Sequence, residues 1–142
     1  MSGIDECLLA AMGLSGARGA AVVDWTSGLA LGTIGSAVSG DHEVTAADTA
    51  ELARTAAEQV TLAEAAPGGP PAAAGPPDAS TPPEPAVEDL IITTRDGYHL
   101  LRFVETAFDS SVFLHLWLDR RDGNLALARI RLAELARELV LS

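Results

Sequence analysis

All eight prolines of the chain lie in one segment, Pro67–Pro85, together with three of its 13 glycines. Proline removes a backbone donor, and glycine and alanine add no volume to a core, so such a segment does not form a packed element. We therefore expect a disordered insert at about residues 65–87. The 142 residues suit one domain, and neither flanking part is long enough to close a core alone. The sequence predicts a single domain over residues 1–142, with a core built from both sides of the insert.

The part before the insert begins with a helix and a β-hairpin. An amphipathic pattern with acidic residues near its start predicts a helix over Ile4–Met12. The apolar runs Ala20–Asp24 and Leu29–Ile34 predict two strands, joined by a turn in which Gly28 supplies a positive φ. Both runs are apolar on both faces, which favours strands in the interior of a sheet over strands at its edge.

A second helix follows, and its small residues form two stripes. Thr45 is a suitable N-cap for a helix over Ala46–Ala63. One stripe is expected to face the sheet, and the other offers a surface that a second backbone can approach closely. The alternative is that alanine fills exposed positions because it is the best helix former. The first stripe comprises Leu52, Ala53, Ala56, Val60 and Ala63, and the second comprises Ala47, Ala50, Arg54, Ala57 and Thr61.

Three strands and a helix are predicted after the insert. The dipeptide Asp96-Gly97 lies between two alternating segments and is a strong hairpin signal. The last strand is almost unbroken in its apolarity, which is typical of a central strand covered on both faces. Apolar residues at spacings of three and four then predict a helix. These elements are strands over Asp89–Arg95, Tyr98–Val104 and Val112–Leu118 and a helix from about Leu125 to Leu141.

The order of these elements predicts an α+β domain with a five-stranded antiparallel sheet covered by three helices. The strands Ala20–Asp24 and Val112–Leu118 should be neighbours at its centre, which gives the strand order 2-1-5-4-3. Strand Asp89–Arg95 is then at an edge, although its middle holds β-branched residues and neither charge nor proline. Because proteins rarely leave such an edge open, we predict that it pairs with its own copy across a two-fold axis. The residues of that predicted interface are Leu90, Ile91, Ile92, Thr93 and Thr94.

No pattern of residues indicates catalysis. Cys7, the single cysteine, is interpreted as a small core hydrophobe, and Asp24 as the cap of a turn. The three histidines lack the spacing of metal ligands, and His115 is expected to bond to a neighbour within the core. Trp25 either covers one end of the core or is an exposed contact residue. The sequence predicts that the protein is not an enzyme and has no cofactor and no metal site.

The charge of the chain excludes two classes of partner. The formal net charge is −11, with nine arginines and no lysine. Such a chain repels nucleic acid and anionic membranes. Its acidic start lacks the basic region of a signal peptide, and no apolar run is long enough to span a bilayer. We expect a cytoplasmic protein with no nucleic-acid partner and no membrane insertion.

Three segments together carry a family resemblance. They are GARGAAVVDWTSGLALG (Gly16–Gly32), DLIITTRDGYHLLRFV (Asp89–Val104) and LHLWLDRRDGNLALARIRLAELARELV (Leu114–Val140). In order and spacing the chain resembles the roadblock/LC7 family, whose profilin-like fold has the element order α-β-β-α-β-β-β-α. The proline-rich insert departs from that family, which has a short connection between the second helix and the third strand.

The resemblance implies a homodimer joined through the third strand and the second helix, which adds Leu52, Ala53 and Ala56 to the predicted interface. It also implies a non-enzymatic regulator or scaffold for a small Ras-like GTPase in a bacterial signalling or polarity system, with or without stimulation of GTP hydrolysis. The second helical stripe would then be the partner surface. Arg120 and Arg121 are candidates for an arginine finger, or else form surface ion pairs. The alternative function is a profilin-like ligand-sensing or protein-interaction module with no GTPase partner.

Overall fold

The computed structural model describes residues 3–58, 87–104 and 111–139. The predicted insert, except for Val87, lies outside these ranges, and so does the predicted end of the second helix. The described residues form three helices and five strands. In chain order these are α1 (Ile4–Met12), β1 (Ala17–Asp24), β2 (Leu29–Gly35), α2 (His42–Glu58), β3 (Asp89–Thr93), β4 (Gly97–Val104), β5 (Val112–Asp119) and α3 (Leu125–Glu138).

The five strands form one antiparallel sheet in the order β2-β1-β5-β4-β3, which confirms the predicted α+β fold. β1 lies between β2 and β5, so that Ala21 is paired with Thr33 on one side and with His115 on the other. The predicted central position of β1 and β5 is therefore confirmed. No helix in the described ranges is long and apolar enough to cross a bilayer.

The helices cover the two faces of the sheet unequally. α1 and α3 pack on one face, where Leu8 and Leu132 join a large apolar cluster. α2 packs on the other face, where its alanines meet Phe113 and other residues of the second cluster. Successive side chains of a strand point to opposite faces, and β5 sends Phe113 to one cluster and Leu114 to the other. Its near-continuous apolarity follows from this double coverage.

The interpretation of both hairpin strands as interior strands is wrong for β2. β2 is an edge strand, and Leu29 and Leu31 remain 65% and 46% exposed. On the face of β2 toward α1, Gly32 allows the helix to pack closely, because a Cβ at this position would lie 2.5 Å from Cγ2 of Ile4. The apolar composition of β2 thus reflects one packed face and an exposed pair of leucines, rather than burial on both faces.

The start of α2 also differs from the prediction. The helix begins at His42, four residues before the predicted Ala46. Oδ1 of Asp41 accepts the backbone N–H of Glu43 at 2.9 Å, as the side chain of an N-cap does. The hydroxyl of Thr45 lies inside the first turn and bonds to Ser39 instead, at 2.8 Å. Asp41 is therefore the N-cap, and the assignment of that role to Thr45 is wrong.

The predicted β3–β4 hairpin is confirmed, but its turn is longer and Gly97 has a different role. β3 ends at Thr93 rather than Arg95, and Thr94 closes the turn by exchanging hydrogen bonds with Gly97. Gly97 is not among the glycines with positive φ in the described ranges. A Cβ at this position would lie 2.4 Å from the carbonyl oxygen of Leu118. The glycine is needed because β5 approaches closely, not because the turn requires a left-handed conformation.

Four smaller predictions are confirmed. Asp24 caps its turn by accepting bonds from the backbone N–H and the hydroxyl of Thr26, at 2.9 and 2.6 Å, and Gly28 has a φ of 76°. Trp25 packs half-buried against the cluster beneath α2, as a cover for the end of the core. Cys7 is completely buried, and burial, with the charge of Glu138 adding to it, raises the pKa of its thiol to about 11.

Candidate functional site

The strand β3 forms one edge of the sheet and pairs only with β4 among the described residues. Ile91 is 39% exposed, and Thr93 and Thr94 are exposed as well. Leu90 and Ile92 are half-buried on the opposite side of the strand from Ile91. The edge is short but carries no charge, proline or bulge between residues 90 and 94, the devices that usually prevent a strand from pairing with another chain.

The one acidic residue of β3 does not guard this edge, because its charge is neutralised within the chain. Oδ2 of Asp89 accepts a hydrogen bond from Nε of Arg129 at 2.7 Å and lies 3.8 Å from a guanidinium nitrogen of Arg102. Only 14% of the Asp89 side chain is exposed. These contacts tie the start of β3 to α3 and β4, and they leave the uncharged part of the strand as its accessible portion.

The face that α2 presents to the sheet agrees only in part with the predicted one, which included the buried Ala53 and Ala56. Its buried residues are Ala46, Thr49, Ala50, Ala53 and Ala56. Leu52, which was predicted to face the sheet, is 47% exposed. Ala50, predicted on the partner surface, is 4% exposed and packs in the core, so that assignment is wrong. The cause is the small size of these alanines, which lets the helix lie close to the sheet without any large side chain between them.

The remaining predicted residues of α2 divide between core and surface. Ala53 and Ala56, which were predicted for the dimer interface, are 0% and 7% exposed and belong to the core cluster. Their side chains are therefore not available for contact with a second chain. Ala47 is exposed, and Ala57 is half-buried. Arg54 forms an ion pair with Glu51. Thr61 lies outside the described residues.

The core cluster connects α2 to the β3 edge. Ala53 and Ala56 belong to this cluster, and Leu90 of β3 packs against it together with Val87. The second half of α2 and the open edge of the sheet therefore share one layer of packed side chains. Of the residues predicted for the dimer interface, Leu52, Ile91, Thr93 and Thr94 are exposed in this region.

The histidines are brought together in part. Nδ1 of His99 lies 2.8 Å from Nε2 of His115, which confirms the prediction that His115 bonds to a neighbour. His42 bonds separately to the carbonyl of Gly35 at 3.0 Å. Within the described ranges, no three His, Cys, Asp or Glu side chains lie close enough together to hold a metal ion.

A basic groove beside this histidine pair was not predicted from the sequence. It is lined by four arginines from three separate segments, together with His99 and Trp117. Only the pairing of β4 with β5 and of β5 with β1 places those segments side by side. In the sequence, only the alternate positions of His115 and Trp117 along β5 indicated that one end of this sheet face is polar.

The fold that these elements form is that of roadblock/LC7 domains. Over 95% of this chain and 80% of the other, the structure is similar to Myxococcus xanthus MglB, with a TM-score of 0.63 and 18% identity. A Roadblock/LC7 domain from Streptomyces avermitilis matches with a TM-score of 0.63 and 16% identity, covering 96% of this chain and 94% of that one. An MglB with a tetrameric arrangement matches with a TM-score of 0.65 and 16% identity, covering 95% and 83%.

Comparison by sequence is less informative than comparison by structure. No protein-family model and no curated protein matches the chain. The structural likeness, at identities of 16–18%, establishes the fold. It confirms the fold that the three sequence segments implied, including the position of β3 at an edge.

Proposed function

We propose that this protein is a non-enzymatic homodimeric regulator or scaffold for a small Ras-like GTPase in a bacterial signalling or polarity system. The proposed dimer pairs β3 with its copy and extends the sheet across a two-fold axis. The proposed GTPase surface is the exposed side of α2. It comprises Ala47, Arg54 and Ala57, the predicted partner residues that are described and not buried in the core. Stimulation of GTP hydrolysis is a further part of this proposal, and the protein is proposed to act in the cytoplasm.

The observation that carries the proposal is the unguarded β3 edge. An exposed strand without charges or proline is a template for pairing with another strand, and residues 90–94 meet that description. In a symmetric dimer the same patch serves both copies, so a single edge of this kind is sufficient. The likeness to MglB structures, one of them with a tetrameric arrangement, supports assembly of the chain with further copies.

A non-enzymatic role is proposed because the described residues offer no catalytic arrangement that we recognise. Nδ1 of His99 and Nε2 of His115 are bonded to each other, and the Cys7 thiol is buried with a raised pKa. Arg120 donates to the carbonyl of Thr94 at 2.9 Å, so it is held against the β3–β4 turn rather than extended as a finger. We therefore propose regulation through binding surfaces.

The dimer is tested by multi-angle light scattering of the purified chain. Ile91→Arg places a charge on the open edge, while Leu31→Arg places the same charge at a comparably exposed position on the opposite edge strand, β2. We expect wild type and Leu31→Arg to have the mass of a dimer and Ile91→Arg to have the mass of a monomer. A wild-type monomer, or equal masses for the two variants, would contradict pairing through β3.

The GTPase surface is tested with a small Ras-like GTPase from the same organism. Ala47→Arg changes the exposed side of α2, and Ala126→Arg is a matched control on the exposed side of α3. We expect binding to weaken at least about tenfold in the first variant, because a buried unpaired charge is costly, and to stay unchanged in the second. GTP turnover with each variant then shows whether binding is coupled to hydrolysis. Binding that is equal in both variants would exclude this surface.

A further inference from the structure

Four of the nine arginines line one open groove at an end of the sheet. Arg18 comes from the start of β1, Arg95 from the β3–β4 turn, and Arg120 and Arg121 from the segment that follows β5. The groove encloses about 860 Å³. No residue of α2 lines the groove, so this helix leaves this part of the sheet face uncovered.

Aromatic rings form the floor of the groove. The rings of His99 and Trp117 are nearly parallel, with an angle of 6° and a separation of 6.1 Å between their centres. The guanidinium carbon of Arg18 lies 4.3 Å from the centre of the Trp117 ring, a cation–π contact that fixes the orientation of this charge. Arg120 is fixed at the other side by its bond to the carbonyl of Thr94. Two of the four cations are thus held in place before any ligand arrives.

These four arginines differ from most others in the chain. Among the described residues, none of the four has a carboxylate oxygen within 4.0 Å. Four arginines outside the groove do have such a partner, namely Arg54, Arg102, Arg129 and Arg131. With 20 acidic residues against nine basic ones, pairing of every arginine would be the expected arrangement. Instead, four of the five arginines that have no carboxylate partner among the described residues converge on one surface, and Arg137 on α3 is the fifth.

The acidic residues of the groove do not cancel this charge. Asp96 and Asp119 line it, two carboxylates against four guanidiniums. The Asp119 carboxylate accepts the backbone N–H of Arg121 at 2.8 Å, which shapes the loop. The groove is therefore a local positive surface on a protein whose net charge is −11.

We propose that this groove binds an acidic segment of a partner protein. The planar guanidinium matches a carboxylate with two parallel hydrogen bonds, and charge complementarity selects an anionic partner. Cations from three separate segments suit carboxylates that are spaced along an extended chain. A compact phosphate is a poorer match, because the floor consists of rings rather than backbone N–H groups and two carboxylates stand among the arginines.

The test measures binding of a labelled peptide of about eight glutamates to the full chain by fluorescence anisotropy at low salt. The double variant Arg18→Gln/Arg121→Gln removes two groove charges, and Arg137→Gln removes an exposed charge elsewhere on α3. We expect affinity to fall about tenfold or more in the double variant, and less than about twofold in the control. Circular dichroism and light scattering establish that each variant keeps its fold and mass. If the double variant does not fold, Arg95→Gln in the exposed turn serves in its place.

Three outcomes would overturn the proposal. The wild-type chain could fail to bind the glutamate peptide at millimolar concentration, or the Arg137→Gln control could weaken binding as much as the groove variant. Tripolyphosphate could bind more tightly than the peptide with the same dependence on the groove arginines, which would make the groove a site for a small polyanion. The probe is a peptide alone, so this test and the GTPase test succeed or fail independently.

Discussion

Nδ1 of His99 and Nε2 of His115 lie 2.8 Å apart, and the two imidazole rings stack with 5.1 Å between their centres. One nitrogen donates and the other accepts, which requires that at least one of these two nitrogens carry no proton. Burial, followed by the charges of His99 and His42, lowers the pKa of His115 to about 3. Burial also lowers the pKa of His99. The folded protein therefore holds this pair in the neutral form at neutral pH.

The first prediction is that the free energy of unfolding falls as the pH falls below about 6.5, the ordinary pKa of histidine. Below this pH the histidines of the unfolded chain are protonated. In the folded protein His115 stays neutral until the pH approaches its pKa of about 3. Since the unfolded state binds more protons in this window, acid favours unfolding. Each proton contributes about 1.4 kcal/mol for each pH unit. Urea unfolding followed by circular dichroism at several pH values measures this slope.

The variant His115→Gln separates His115 from the other titrating groups, and it should reduce the slope. Burial raises the pKa of the Asp24 carboxyl, but hydrogen bonds led by that of Thr26 outweigh it and hold this pKa below 3.8, so Asp24 acts only in stronger acid. The comparison is therefore made above about pH 4.5. An unchanged slope in His115→Gln would contradict the assignment.

Periodicity was enough to predict which elements form and in which order they pair. The apolar runs of β1 and β5 indicated double coverage, and both strands lie at the centre of the sheet. The same argument failed for β2, because a strand with one packed face and two exposed leucines has the composition of a buried one. Composition does not record which neighbours a strand has.

The candidate surfaces were less predictable than the fold. In α2 alanine occurs on both sides of the helix, so no stripe of large residues marked the buried side, and Leu52 and Ala50 were assigned to the wrong faces. The arginine groove could not be predicted, since Arg18 and Arg120 are brought to one surface only through the pairing of β1 with β5. Contacts of this kind depend on tertiary structure and leave no local pattern.

The second prediction concerns the cap of α2. Asp41→Ala removes the acceptor for the Glu43 backbone N–H and should cost about 1 kcal/mol of stability. Thr45→Ala should cost less, because its hydroxyl bonds to Ser39 inside the first turn and satisfies no free backbone donor of the helix. Chemical denaturation of the two variants under identical conditions compares them. A larger cost for Thr45→Ala would restore Thr45 as the cap.

The third prediction tests the close approach at Gly97. Gly97→Ala places a Cβ 2.4 Å from the carbonyl oxygen of Leu118, a backbone atom that cannot move without disturbing β5. We expect a loss of about 2 kcal/mol, within the range for strained substitutions. Gly3→Ala is the control, because a Cβ there meets nothing within 4 Å. Thermal unfolding followed by circular dichroism should show a lowered midpoint for Gly97→Ala alone, and equal midpoints would show that the turn relaxes freely.

The fourth prediction concerns the acidic residue that starts β3. Asp89 lies beside both Arg129 and Arg102, whose side chains are 55% and 20% exposed. Asp89→Ala should cost about 1–2 kcal/mol, because the more buried Arg102 keeps only Glu88, at 3.7 Å and mostly exposed. Arg129→Gln removes the shorter but solvent-screened bond and should cost clearly less stability than Asp89→Ala. Urea unfolding measured at one protein concentration compares the two. Equal losses would mean that Arg102 is solvated well enough to need no partner, and that Asp89 contributes through its bond to Arg129 alone.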